Sequence, residues 1–198
     1  MLNRLYLGDV TSDAPSPFER RALELFLDWA AQEEHPDVLT AVLHGLGEHE
    51  DPRIEPLGLR FLAHSAPSVR TGVIATLSTV YSERSGRTTF TPEGLNALLV
   101  LAQDTGTSVR QAAGYQLAHS LNPDPAVGDT LAGLLDDEDQ HTRIWVAFGL
   151  AVRDDPRCVE GADKVGPVDD RPSWSWILDA PARYEERRKA RGGPTSGE

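Results

Sequence analysis

The chain has 198 residues, 31 acidic and 19 basic, giving a formal net charge of -12; 39% are hydrophobic and 25% charged. That balance belongs to a folded, soluble chain of one domain or two small ones, long enough to bury a sizeable core. It disfavours nucleic acids and anionic membranes as partners, because both are polyanions that bind basic surfaces. No apolar run approaches the roughly 20 residues needed to span a bilayer. No continuous apolar stretch follows Met1–Val10, so the expectation is a cytoplasmic protein without a secretory leader. The single cysteine, Cys158, excludes an internal disulfide and a multi-cysteine zinc site. Arginine outnumbers lysine 17 to 2, which reads as the signature of a GC-rich bacterial genome.

Residues 1–14 read as an N-terminal arm, followed by a helical array over 15–155. Helices are expected over Pro17–Gln32, Pro52–Ala63, Pro92–Gln103 and Pro125–Leu135. Each opens with proline, whose missing N–H costs little in a first helical turn. Ser16, Asp51, Thr91 and Asp124 precede those prolines as N-caps. After each comes a second helix, and these second helices align without gaps from Glu33, His64, Asp104 and Asp137, at spacings of 31, 40 and 33 residues. The long middle interval contains Ser82–Pro92, which reads as a loop insertion rich in turn residues. In the aligned segments the sixth place holds Val38, Val69, Val109 and Thr142, the seventh Leu39, Arg70, Arg110 and Arg143, and the last Leu46, Leu77, Leu117 and Leu150. Apolar residues recur at three and four, so one helical face is buried. No stretch shows sustained strand alternation, and the fold class is all-α.

A helix–turn–helix unit of about 30–40 residues marks a stacked array. With an acidic turn residue, then Val-Arg one turn into the second helix, then small residues and leucine, the chain resembles HEAT repeats. The resemblance covers residues 17–153 and implies a short right-handed α-solenoid of about four helix pairs with a C-terminal capping segment. It also implies a ladder in which Asp104 and Asp137 pair with Arg70, Arg110 or Arg143. A structural role for this ladder is preferred to the binding of an anionic ligand. His64 departs from the acidic pattern and must serve differently.

With the second helices as the inner layer of such a solenoid, a stripe through places five, eight, twelve and sixteen forms the concave face, where solenoids bind partners. It carries Thr40, His44, Gln111, Tyr115, His119 and Phe148, with Trp145 alongside, and these seven are the expected partner-binding residues. Residues 156–190 read as a C-terminal cap and charged helix. Trp174, Trp176 and Ile177 are expected to cover the last repeat, Tyr184–Arg191 to form the charged helix, and 191–198 to be a flexible tail. His44 and Glu48 are spaced for one helical face, but no third metal ligand is specified, so no metal and no cofactor are expected. Asp136–Asp139 lacks the spacing of a calcium loop and reads as a solvated turn. Cys158 has no activating histidine.

The function these readings support is a non-enzymatic protein-binding scaffold or adaptor whose acidity favours a basic protein partner. One form is an inhibitor or immunity-type protein. The alternative is a HEAT-like enzyme such as an alkylpurine DNA glycosylase, using Trp145 with Asp137 or Asp139, or a bilin lyase using Trp145, Tyr115 and His119. No catalytic residue is assigned.

Overall fold

A computed structural model of the chain describes residues 19–77, 79–82, 87–120, 122–168 and 175–191. The elements run α1 (Glu19–Gln32), α2 (Pro36–Leu46), α3 (Ile54–Leu59), α4 (Pro67–Ala75), β1 (Thr79–Ser82), β2 (Arg87–Phe90), α5 (Pro92–Leu101), α6 (Thr107–Ser120), α7 (Pro125–Gly133), α8 (Gln140–Val152), α9 (Cys158–Val165) and α10 (Ser175–Arg191), with a 3-10 turn at Leu134–Asp136 after α7. The fold is all-α, its helices packed in neighbouring pairs as in a short HEAT-like solenoid. The insertion at Ser82–Pro92 differs from the expected loop: β1 and β2 pair as a two-stranded sheet. Short β-rich runs such as Thr-Val-Tyr-Ser and Arg-Thr-Thr-Phe can pair locally without any alternation long enough to read as a buried strand. Among the described residues no helix is long and apolar enough to cross a membrane.

The chain divides into two compact units, residues 1–80 with 90–97, and residues 81–89 with 98–198. In the first, α2 packs against α1 and α4, and α3 against α4. Leu39, Leu43, Leu46, Val69 and Val73 form its interior. Val38, at the sixth place, is only half-buried, and Leu39 takes over the inward position in that repeat. Helix α3 is shorter than the expected Pro52–Ala63: it starts at Ile54, with Arg53 rather than Asp51 at the N-cap and no side-chain cap, Pro56 stands in its first turn, and the chain leaves the helix after Leu59. Gly58 is required there, because a Cβ would meet the Thr76 hydroxyl at 1.8 Å. Thr91 caps α5, its Oγ1 accepting from the amide of Gly94 at 3.0 Å and donating to the buried Glu55 at 2.7 Å.

In the second unit α8 is central, packed against α6, α7, α9 and α10. Val109, Ala113 and Leu117 of α6 and Thr142, Val146 and Leu150 of α8 are all inside. Asp124 caps α7 through the Ala126 amide at 2.9 Å. Asp139 caps α8 through the Thr142 amide at 2.7 Å, supplying an acceptor to an otherwise unpaired N–H.

The C-terminal region corrects one expectation, the start of the charged helix. Cys158 lies on a helix, α9, and is fully buried; burial pushes its thiol up to about 11. The charged helix starts at Ser175 rather than at Tyr184, and Tyr184 is buried. Arg187 donates to the Ala151 carbonyl at 3.1 Å and to Asp154 Oδ1 at 3.0 Å, and Arg191 to Asp154 Oδ2 at 3.2 Å. The basic face of α10 is thus engaged with the C-terminal end of α8, where cations are favoured. Asp154 itself sits at φ 55, in the left-handed region that aspartate tolerates better than most residues. Ser16, Trp174 and the stretches 1–14 and 192–198 lie outside the described residues.

Candidate functional site

The most distinctive surface feature is a cluster of rings on α6, α8 and α10. Tyr115 and His119 stand one turn apart on α6, Trp145 and Phe148 on α8, and Trp176 at the start of α10. Ring centroids are 4.1 Å apart for Tyr115–His119, 4.7 Å for Tyr115–Trp145, 5.0 Å for His119–Trp145, 5.6 Å for His119–Phe148 and 5.2 Å for Phe148–Trp176. Three of the contacts are nearly perpendicular: Tyr115–Trp145 at 87°, Trp145–Phe148 at 83° and Phe148–Trp176 at 86°. Edge-to-face packing suits aromatic quadrupoles and builds walls at right angles rather than a flat stack. The cluster is open to solvent: Trp176 is 50% and Tyr115 38% exposed, His119 is exposed, and Trp145 and Phe148 are half-buried.

A close approach of α6 and α8 brings these rings together. A methyl group at Gly149 would stand 2.7 Å from the Cβ of Ala118, and one at Gly114 3.4 Å from Val146. Arg153 ties the same two helices, donating to the carbonyls of Leu117 at 2.6 Å and Ala118 at 3.0 Å. The guanidinium therefore sits at the negative end of α6. Apolar residues turned inward on both helices leave the ring-bearing stripe on another side.

The other stripe residues stand as follows. Gln111 is half-buried on α6, one turn before Tyr115. Thr40 and His44 lie on α2, in the first unit; the Thr40 hydroxyl donates to the Pro36 carbonyl at 2.8 Å, and His44 is exposed. Glu48 falls beyond the end of α2 and does not share a helical face with His44. Ile144, at place eight of the fourth repeat, is buried rather than on the open face. A cavity of about 280 Å3 lies beside it, lined by Ala147, Val165, Ile177 and Pro181 among others. Ile177 is buried against this end of the array, while Trp176, next to it, turns outward to join Phe148. Among the described residues no group of three His, Cys, Asp or Glu could hold a metal ion.

The turn residues carry a shared device that alignment alone did not reveal. Glu33, His64, Asp104 and Asp137 each accept the backbone N–H two residues on, at 2.8, 3.1, 2.7 and 2.9 Å. His64 does this through Nδ1, so an imidazole replaces a carboxylate in the turn. The seventh-place arginines reach back over the same turns. Arg70 donates to the His64 and Ser65 carbonyls, Arg110 to those of Asp104 and Thr105, and Arg143 to those of Asp137 and Glu138.

Arg110 also spans to the next repeat, with Nε donating to Asp137 Oδ2 at 2.6 Å and Nη2 to Glu138 Oε1 at 3.1 Å. The Asp137 side chain is only 3% exposed. Burial pushes its carboxyl up, but Arg110, the Asp139 amide and the charge of Arg143 outweigh that and hold it below the usual carboxylate range. Arg143 reaches onward to the Lys164 carbonyl at 2.9 Å. The acidic run is thereby distributed: Asp136 pairs with Lys164, Asp137 and Glu138 with Arg110, and Asp139 caps α8. Asp137 and Asp139 are held in these roles at the start of α8, whereas Trp145 lies more than a turn further along it. A hollow over Arg110 is lined by Asp129, Asp136 and Asp137 as well, a setting that disfavours an anionic ligand.

Residues 23–118 match the family model described as HEAT repeats. No curated protein matches the sequence significantly.

Proposed function

Because this chain carries HEAT repeats, a scaffold suited to gripping other proteins, we propose that it is a non-enzymatic protein-binding module whose anchor is the ring cluster of α6, α8 and α10. The observation that carries this reading is the group of five partly open rings built on packed helices. Large, stiff, amphipathic rings concentrate binding energy in interfaces while losing little side-chain entropy. The net charge of -12 favours a basic partner and an association that slows as salt rises. An inhibitor or immunity-type role, in which the acidic module occludes a basic protein, is one form of it.

Affinity capture from the native host, with the full chain and with a Tyr115→Ala/Trp145→Ala variant as baits, tests the reading. A basic protein retained by the native bait should be lost by the variant, with the variant's helical circular dichroism and melting cooperativity preserved. Equal retention by both baits would overturn the assignment to the rings.

A further inference from the structure

We infer that the ring cluster is a receptor for a cationic side chain, specifically an arginine guanidinium presented by a partner protein; this rests on the protein-binding reading above. Three observations converge on that chemistry. Perpendicular packing of Tyr115, Trp145, Phe148 and Trp176 presents π faces from several directions, and such faces attract cations through the ring quadrupole. A planar guanidinium can stack on one wall while its N–H groups point elsewhere.

His119 supplies the second observation. Its Nδ1 lies 2.8 Å from the Tyr115 carbonyl oxygen. A carbonyl can only accept, so Nδ1 carries the hydrogen, and Nε2 of the neutral ring is left as an acceptor. In that tautomer the neutral imidazole has a lone pair on Nε2 for an N–H donor. The third observation is charge. Asp179 is exposed on α10, one turn beyond Trp176, and carries the opposite formal charge to Arg183, which donates to the Trp176 carbonyl. The whole chain adds its net charge of -12.

The probes are three seven-residue peptides, acetylated and amidated, of glycine and serine around a central arginine, citrulline or leucine. Citrulline keeps the length and planar shape of arginine but removes the charge and replaces one NH2 donor group by a carbonyl acceptor. Each is titrated into the full chain while the tryptophan indole N–H signals are followed by NMR. The arginine peptide should move the Trp145 and Trp176 signals and leave Trp29, on α1, in place; citrulline should bind about tenfold more weakly. Trp176→Leu and His119→Phe should each weaken the arginine peptide severalfold without lowering the melting temperature. The inference falls if citrulline or leucine moves the same signals at equal concentration, or if the arginine peptide moves none of them. In either case the protein-binding reading still stands or falls separately, by whether ring substitutions release the captured partner.

Discussion

The seventh place of the repeat is filled by leucine at the start of the first unit and by arginine in the second, and the two sites work differently. Leu39 is 1% exposed and needs only apolar neighbours. Arg110 keeps 15% of its side chain exposed and is held by two backbone carbonyls, Asp137 and Glu138. One repeat is sealed by burial alone, the other by a charged group whose partners must all be in place. The lesson is that a repeat can keep its register while exchanging the kind of force that joins it to its neighbours.

The largest effects should come from the apolar interior of each region. Leu43→Ala and Leu117→Ala each empty a site that is 0% exposed and should cost about 2–5 kcal/mol, read from urea unfolding. If only one of them destabilises, the two units do not rest equally on burial.

Copying the seventh-place leucine of the first repeat into the third sharpens the contrast. Arg110→Leu strands the buried Asp137 carboxylate and should cost about 2–4 kcal/mol. Adding Asp137→Asn should recover part of that loss, because asparagine still accepts the Asp139 amide but carries no charge. If the second substitution gives no recovery, the guanidinium acts by packing and not by pairing.

Acid should separate the same two sites. The Asp137 carboxyl is held below its ordinary value in the folded chain. Its stabilising contribution is therefore complete above the unfolded aspartate value of about 4 and is lost as pH falls through the lowered folded value. Asp137→Asn should flatten that part of the stability profile, whereas Leu39→Ala should shift the profile down without changing its slope. An unchanged slope in Asp137→Asn would dissociate the ion pair from acid sensitivity.

The smallest effect belongs to Arg53. It pairs with Asp51 and Glu24 but stands half in solvent, where such pairs are screened. Arg53→Ala should leave the unfolding midpoint unchanged, in contrast to Arg110→Leu.

Much of the array was legible because burial repeats with helical period. Val69, Val109, Leu117 and Leu150 mark an inward face that no other regular structure would align. Tyr115, His119 and Phe148 could be placed on one stripe by the same count, with Trp145 alongside. The short sheet at Thr79–Phe90 and helix α9 were not legible, because each is too short to show a period of its own. Nor was Trp176 as a member of the ring cluster. Nothing in the order of residues says that Ile177 turns inward and Trp176 outward; the direction in which α10 lies against α8 decides it.

Local chemistry, by contrast, could be misread in detail and still be right in kind. His64 looked like a broken rung, yet its Nδ1 serves the turn as the carboxylates do. The charged helix expected from Tyr184 starts earlier, at Ser175, and its Arg187 and Arg191 meet at Asp154. Most of the helices, their buried faces and the Thr91 and Asp124 caps are settled by neighbours along the chain, since hydrogen bonds and periodicity act over a few residues, and the sequence by itself determined them. Which side chains from α6, α8 and α10 share one surface was decided only by tertiary packing, through contacts such as Gly149 against Ala118, between residues far apart in the chain.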